Sequence, residues 1–364
     1  MDLKKIVVQD FRNIELQELD FCPNINCISG NNGEGKTNLM DAIWYLSMAK
    51  SAFSTSDRFN FRFGCQSFAI SGLYSMPSGP DTRISIQVDG SGKKLKRDDK
   101  PYPRLADHIG LLPVVMVSPT DVSMVSETGE ERRRFCNAVL SQVSAEYLNS
   151  VQNYARLLAQ RNAILKAGNP DFQLMDVLDS QMEACAGPVA EMRARLARDL
   201  EPLVQEFYSQ ISGGRESVAI SYRSDLEEGR LTDIFRARRE KDLILKYTFA
   251  GIQRDDFLFT MNGRPIRHCG SQGQQKSFLV ALKFAQYSLM KERRGFAPIL
   301  LLDDLFDKLD LGRVQNLLTM VAGSDFGQIF LSDSNKLRLS GIVDGITSDR
   351  TYYEAKGGAF TRNE

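Results

Sequence analysis

The chain has 364 residues, 42% apolar and 25% charged, a composition ordinary for a globular protein with room for about two domains. Its 46 basic and 46 acidic residues cancel, so any contact to a polyanion must come from local patches rather than from net charge. No run of about 18 apolar residues occurs, which excludes a membrane-spanning helix, and six cysteines without a C-x-x-C pair predict free thiols in a reducing compartment.

In chain order, the opening MDLKKIVVQDF is strand-like and lacks a signal-peptide core. A turn at Arg12–Asn13 leads to a second strand, IELQELDF. The apolar INCI (Ile25 to Ile28) predicts a buried strand. Soon after it stand Gly30, Asn31, Asn32, Gly33, Glu34, Gly35, Lys36 and Thr37, the G-x-x-x-x-G-K-T spacing of a P-loop. Its glycines allow positive φ, so that several N–H groups point inward at phosphate oxygens. Lys36 is placed to reach the β and γ phosphates, and the Thr37 hydroxyl to hold Mg²⁺. Leu39, Met40, Ile43, Trp44, Leu46 and Ala49 then give a broad apolar helical stripe. Strand, glycine loop and helix N-terminus in that order are what an anion site requires.

SFAISGLYS and TRISIQVDG predict an antiparallel pair, GKKLKR (Gly92 to Arg97) a basic hairpin, and LLPVVMVSP (Leu111 to Pro119) a buried strand. From about Pro119 to Lys246 the pattern is mainly helical. ERRRF (Glu131 to Phe135) is a second basic stretch there; each stretch is either a DNA contact or a solvated surface. Tyr147, Val151, Tyr154 and Leu158 mark one helix face. Val189, Met192, Leu196, Leu200, Leu203, Phe207 and Ile211 mark another, with Pro188 and Pro202 expected to kink or interrupt it. Arms of about 25 residues reach only about 38 Å, a compact helical lobe rather than a long coiled coil. Strands are expected again at YTFAGI and DFLFTMNG, followed by a long helix from Gln274 to about Arg293. Buried strands PILLLDD and QIFLSDS, with a helix between them, and a hairpin at TYYEAKGGAFTR complete the pattern. The expected organisation is a split nucleotide-binding lobe, 1–118 and 246–364, around an inserted lobe, 119–245.

Two further constellations carry chemistry. ILLLDD is an apolar run ending in two carboxylates: Asp303 is expected in the Mg²⁺ shell opposite Thr37, and Asp304 is placed to orient the attacking water. In GSQGQQKS, residues Ser271, Gln272, Gly273 and Gln274 stand at a helix start, either as a second anion site or as a plain N-cap and glycine turn. Two phosphate-binding helix ends with one lysine-bearing cradle suggest that each signature completes another subunit's site.

Cradle, S-x-G-Q signature and then ILLLDD is the order in ABC-type ATPases. VQDFRNI, GNNGEGKTNLMDAI, SPTDVSMVSETGEERRRF, YARLLAQRNAILK, GIQRDDF, GSQGQQKS and LLDDLFDKLD together extend over nearly the whole length. On these segments the chain resembles the RecF family of bacterial recombination mediators, short-armed relatives of the SMC ATPases. The resemblance implies an α/β P-loop NTPase fold of the ABC-type ATPase head, with an inserted helical lobe and no long coiled coil. It implies a cytoplasmic, nucleoid-associated protein that binds ATP, forms a head-to-head homodimer around two nucleotides and hydrolyses ATP slowly as a release switch. It further implies binding to gapped DNA at single-stranded/double-stranded junctions, and RecA loading together with RecO and RecR. By the same resemblance Ser271 and Gly273 contact the partner subunit's γ-phosphate, Asp310 crosses the interface, and Arg12 lies near the phosphates. Three departures stand out. Gln253 occupies a position where the family commonly shows histidine, no glutamine ends PVVMVSP, and no histidine follows QIFLSDS, leaving Ser332, Asp333 or Ser334 as the switch position. A transporter energising subunit, an SMC-like structural chromosome protein and a P-loop kinase are the competing readings. The large helical lobe, the missing heptad arms and the second anion-binding helix end argue against them in turn.

Overall fold

A computed structural model describes residues 1–127, 129–168, 171–304, 326–345 and 347–363. The chain begins with β1 (Asp2–Phe11), β2 (Ile14–Asp20), β3 (Ile25–Ser29), α1 (Lys36–Met48), β4 (Phe68–Ser75), β5 (Thr82–Asp89), β6 (Gly92–Arg97), β7 (Lys100–Pro101) and β8 (Val114–Val117). Next come α2 (Ser123–Ser126), α3 (Gly129–Val143), α4 (Ala145–Lys166), α5 (Phe172–Ser212), β9 (Val218–Arg223) and α6 (Leu231–Leu245). Then follow β10 (Asp256–Met261), β11 (Arg264–Pro265), α7 (Ile266–Cys269), α8 (Gln272–Arg294), β12 (Ile299–Leu302), β13 (Ile329–Asp333), α9 (Lys336–Val343), β14 (Arg350–Lys356) and β15 (Ala359–Asn363). Among the described residues no helix is long and apolar enough to cross a membrane.

Two compact units emerge. The first comprises 1–121, 210–213 and 280–364, and the second 122–209 and 214–279. The sequence places the lobe limits at 118/119 and 245/246; the second changeover in compactness lies later because β10 ladders with β9 inside the second unit.

In the first unit β2-β1-β4-β5-β6-β7 form an antiparallel sheet in that order. β4 and β5 bury alternate side chains, the signature of a sheet with one face on the core. The other sheet runs β15-β14-β3-β13-β12-β8, parallel except for the β14–β15 hairpin. The inner strands β3, β13 and β12 and the edge strand β8 are buried at every position, as parallel strands covered on both faces must be. α1 contacts strands of both sheets, and ten of its 13 residues are buried. The apolar stripe therefore understates its burial: Trp44 is half-buried, whereas Tyr45 is fully buried and donates its hydroxyl to Asp57 Oδ1 at 2.6 Å.

The second unit packs helices around the small antiparallel sheet β11-β10-β9. Three expectations are corrected here. β9 lies inside the stretch read as helical, where its short VAISYR run carries alternating burial. YTFAGI is a loop: the Thr248 and Phe249 N–H groups donate to Asn162 Oδ1 and Asp242 Oδ1, both at 2.8 Å, so side chains take the place of a strand partner. Pro188 and Pro202 do not interrupt α5, which continues through both for 41 residues, about 62 Å at 1.5 Å per residue. Burial of Val189, Leu196, Leu200, Val204 and Tyr208 along one face offsets the hydrogen bonds that the prolines remove. On α4 the buried face is Tyr147, Tyr154, Leu157, Arg161 and Leu165, with Val151 and Leu158 on its flank.

Arg161 is the hub of this unit. It is fully buried, donates to Asp179 Oδ1 at 2.6 Å, to Asp242 Oδ2 at 2.7 Å and to Thr248 Oγ1 at 2.9 Å, and lies over the Phe235 ring. One guanidinium thus ties α4, α5, α6 and the following loop together.

Candidate functional site

The loop from Gly30 to Gly35 leaves β3 and enters α1 through three glycines with positive φ: 155° at Gly30, 87° at Gly33 and 110° at Gly35. A Cβ on Gly30 would stand 2.5 Å from Ala355 O, and one on Gly35 2.9 Å from Asn13 Oδ1, so neighbouring backbone and side chain demand glycine at both. Gly33 has open space where a Cβ would be. Among the described residues no side chain caps α1, which leaves its first N–H groups available to an anion. Lys36 is buried beneath the loop, and its ammonium donates to Gly30 O at 2.8 Å and Asn31 O at 3.2 Å.

Thr37 Oγ1 donates to Asp303 Oδ2 at 2.8 Å, joining residues 266 positions apart. Ser332 Oγ donates to the other Asp303 oxygen at 2.6 Å and accepts from the Asp304 N–H at 2.9 Å. Burial lifts the Asp303 carboxyl above the usual carboxylate range, against the opposing pull of the Ser332 and Thr37 hydroxyls. Asp304 takes a left-handed backbone, φ 43°, with its carboxylate 3.9 Å from the Lys36 ammonium. β3, β13 and β12 are neighbours in one parallel sheet, so their carboxyl ends deliver the cradle, Ser332 and the two aspartates to one edge. The residues fit a magnesium nucleotide: hard oxygens at Thr37 and Asp303 suit Mg²⁺, and the open space at Gly33 beside the uncapped helix end suits a phosphate.

Arg12 sits beside the first turn of α1. It donates to Asp41 Oδ2 at 2.7 Å, Ser51 Oγ at 3.0 Å and Asn38 Oδ1 at 3.3 Å, while its buried Nε has no hydrogen-bond partner among the described residues. Burial raises the Asp41 carboxyl, and Arg12, Ala52 N–H and Ser51 pull it back. Several supporting residues escape sequence reasoning. Asn13 Oδ1 accepts from Asn38 Nδ2 at 2.7 Å, and the Gly357–Gly358 turn of the last hairpin bonds Glu34, with Gly358 N–H donating to Glu34 O at 2.9 Å. The only signal for that turn in the sequence is a glycine pair, which says turn and not where the turn rests.

Ser271 to Gln274 belong to the second unit, at the start of α8. Ser271 Oγ accepts from Gln274 N–H at 3.3 Å and Gln274 Oε1 accepts from Ser271 N–H at 2.7 Å, a reciprocal capping box. The capping alternative is therefore realised locally, while Ser271 and Gln272 remain exposed and Gly273 half-buried. Asp310 lies outside the described residues. Of the switch candidates, Ser332 touches Asp303, Asp333 is buried and paired with Arg338 at 2.7 Å, and Ser334 is exposed. Gln253 belongs to the second unit, accepting from Tyr154 Oη and donating to Ala250 O, each at 2.6 Å. In the basic hairpin Lys93 turns inward to Ala49 O, Asp57 and the Tyr45 ring, leaving Lys94 and Lys96 outward. His108 is buried between Leu46 O and Tyr102 Oη, a packing role.

Comparison with known proteins places this geometry. A family model described as an AAA domain matches residues 5–175. A DNA replication and repair protein RecF from Phocaeicola vulgatus is 40% identical over 367 residues, covering 100% of this chain and 99% of that protein. Another from Parabacteroides distasonis is 40% identical over 358 residues, covering 98% of each. Among solved structures, the recombination mediator protein RecF-ATP in the RecFOR pathway superposes with a TM-score of 0.90 at 26% identity, covering 100% of this chain and 98% of that one. The fold is thus an ABC-type ATPase head, with no long coiled coil among the described residues.

Proposed function

Because the chain belongs to the RecF family of DNA replication and repair proteins, we propose that it is an ATP-dependent, DNA-binding recombination mediator. In this reading it closes as a homodimer around two ATP molecules on gapped DNA and acts there with RecO and RecR to promote RecA loading. The observation that carries the reading is the Thr37–Asp303 hydrogen bond, which brings cradle and carboxylate pair together at one sheet edge.

Each residue then has a role. The N–H groups of Gly30 to Gly35 and of the first turn of α1 bind the phosphate oxygens, and Lys36 swings from its loop carbonyls to the β and γ phosphates. Thr37 and Asp303 would hold Mg²⁺, which would supply positive charge to offset that of the phosphates. Asp304 orients the attacking water, its backbone position fixed through Ser332. Arg12 is held beside the first turn by Asp41 for the same phosphates. Ser271 Oγ accepts from the Gln274 N–H and keeps its O–H proton to donate to the γ-phosphate of a second copy. Gln272, Gly273 and the start of α8 complete that contact, with Asp310 crossing between copies. Turnover is slow and opens the dimer, in a cytoplasmic protein acting at the nucleoid.

Two substitutions test this. Ser271→Arg is expected to bind ATP with unaltered affinity yet stay monomeric, because the bulky cation fills the space of the partner's phosphate; a dimer of normal mass with ATP would refute the role. Asp304→Asn keeps the Mg²⁺ ligands but loses water activation, so an ATP-bound dimer accumulates on gapped DNA. Its sedimentation as a monomer under ATP would count against the release-switch reading.

A further inference from the structure

β13 lies between the cradle strand β3 and the aspartate strand β12. Leu331 pairs with Leu302, the last residue of β12, and Ser332 pairs with Ile28 of β3. The same parallel register sets Asp303, one step past Leu302, level with Ser332, whose side chain is fully buried.

The Ser332 hydroxyl is used twice. Its proton goes to Asp303 Oδ1 at 2.6 Å, and a lone pair accepts the Asp304 N–H at 2.9 Å. A hydroxyl has a single proton, so this one has none to offer a γ-phosphate. Asp333 is committed as well. Its two oxygens accept from Arg338 at 2.7 and 2.9 Å, and one of them also accepts the Asn335 N–H at 2.7 Å. The end of β13 therefore acts on the aspartate pair rather than directly on the nucleotide.

The two hydrogen bonds to Asp303 differ in what they hold. Thr37 Oγ1 faces Oδ2 at 2.8 Å, and these two hard oxygens are the ones suited to Mg²⁺. Ser332 holds the other oxygen, so it keeps the carboxylate oriented whichever way the Thr37 proton turns. Asp304 needs a hold too. Its φ of 43° is a left-handed conformation that residues with a side chain rarely adopt, and the Ser332 oxygen takes its N–H.

We infer that Ser332 is a positioning residue: one buried hydroxyl fixes both the Asp303 carboxylate that serves Mg²⁺ and the turned backbone of Asp304. This rests on the nucleotide reading of the same site. A hydrogen bond that orients a metal-ligating side chain is worth about 10–100-fold in metal affinity.

The test is the affinity of the full chain for N-methylanthraniloyl ATP, read by fluorescence anisotropy in EDTA and across a Mg²⁺ titration. Ser332→Ala is expected to raise the Mg²⁺ concentration at half-maximal effect by about tenfold. Its affinity in EDTA should stay within about threefold of the parent's, because the backbone cradle and Lys36 are untouched. Ser332→Thr keeps a hydroxyl and should restore the parent's Mg²⁺ requirement. An equal loss with and without Mg²⁺ marks a merely structural role and overturns the inference. So does a Mg²⁺ requirement in Ser332→Ala that matches the parent's, or one in Ser332→Thr that matches Ser332→Ala. A parent chain whose nucleotide affinity ignores Mg²⁺ overturns the nucleotide reading itself, and this inference with it.

Discussion

Replacing Lys36 by alanine lowers ATP affinity by about thirtyfold or more. The side chain is 3% exposed, so its ammonium acts where water screens little. Truncating one partner of a buried, hydrogen-bonded charge pair costs about 2–5 kcal/mol, and each 1.4 kcal/mol is about tenfold in affinity. The backbone cradle remains tethered by the Gly358 N–H at Glu34 O, 2.9 Å, so the loop keeps its shape while losing its cation. Equilibrium dialysis with radiolabelled ATP reads the effect directly. Affinity within a factor of about three of the parent would mean that the triphosphate does not sit over Lys36.

Replacing Arg161 by methionine lowers stability by about 3–5 kcal/mol, through a different mechanism. The substitution leaves Asp179 and Asp242 buried without their shared cation, and removing one member of a buried ion group strands the others. Burial already raises the Asp179 carboxyl with Arg161 present. Urea titration is the measurement, with the midpoint shifting and the slope unchanged. A triple variant, Arg161→Met with Asp179→Asn and Asp242→Asn, should recover part of the loss, since neutral amides no longer carry an uncompensated charge. A single variant within about 1 kcal/mol of the parent would show that the triad is not what holds the helices together.

These two residues also mark what could be read from the chain and what could not. The position of Lys36 beneath the loop was legible because the P-loop pattern fixes residue type and spacing over eight positions, and the apolar runs on either side fix strand and helix. Asp303 was legible for the same reason: an all-buried strand that ends in carboxylates must present them at the sheet edge. Arg161 stands in an equally specific segment, LLAQRNAILK, yet nothing local says that it faces inward. Its partners lie 18 and 81 positions away, and only the packing of α4 against α5 and α6 makes an arginine tolerable there. The strand β9 escaped because the helical period of its surroundings dominated a six-residue run. YTFAGI looked like a strand because apolar alternation cannot reveal that Asn162 and Asp242 will claim its N–H groups. At Ser271 the sequence allowed both a cap and an anion site, and the capping box leaves the hydroxyl proton free for the second use.

The most direct test of the proposed mechanism is the solution mass of the unmodified chain with Mg²⁺ and a non-hydrolysable ATP analogue, measured by sedimentation equilibrium. A shift from one-chain to two-chain mass with one nucleotide bound per chain is the predicted result. A single chain with nucleotide fully bound would contradict the proposal that ATP joins two copies.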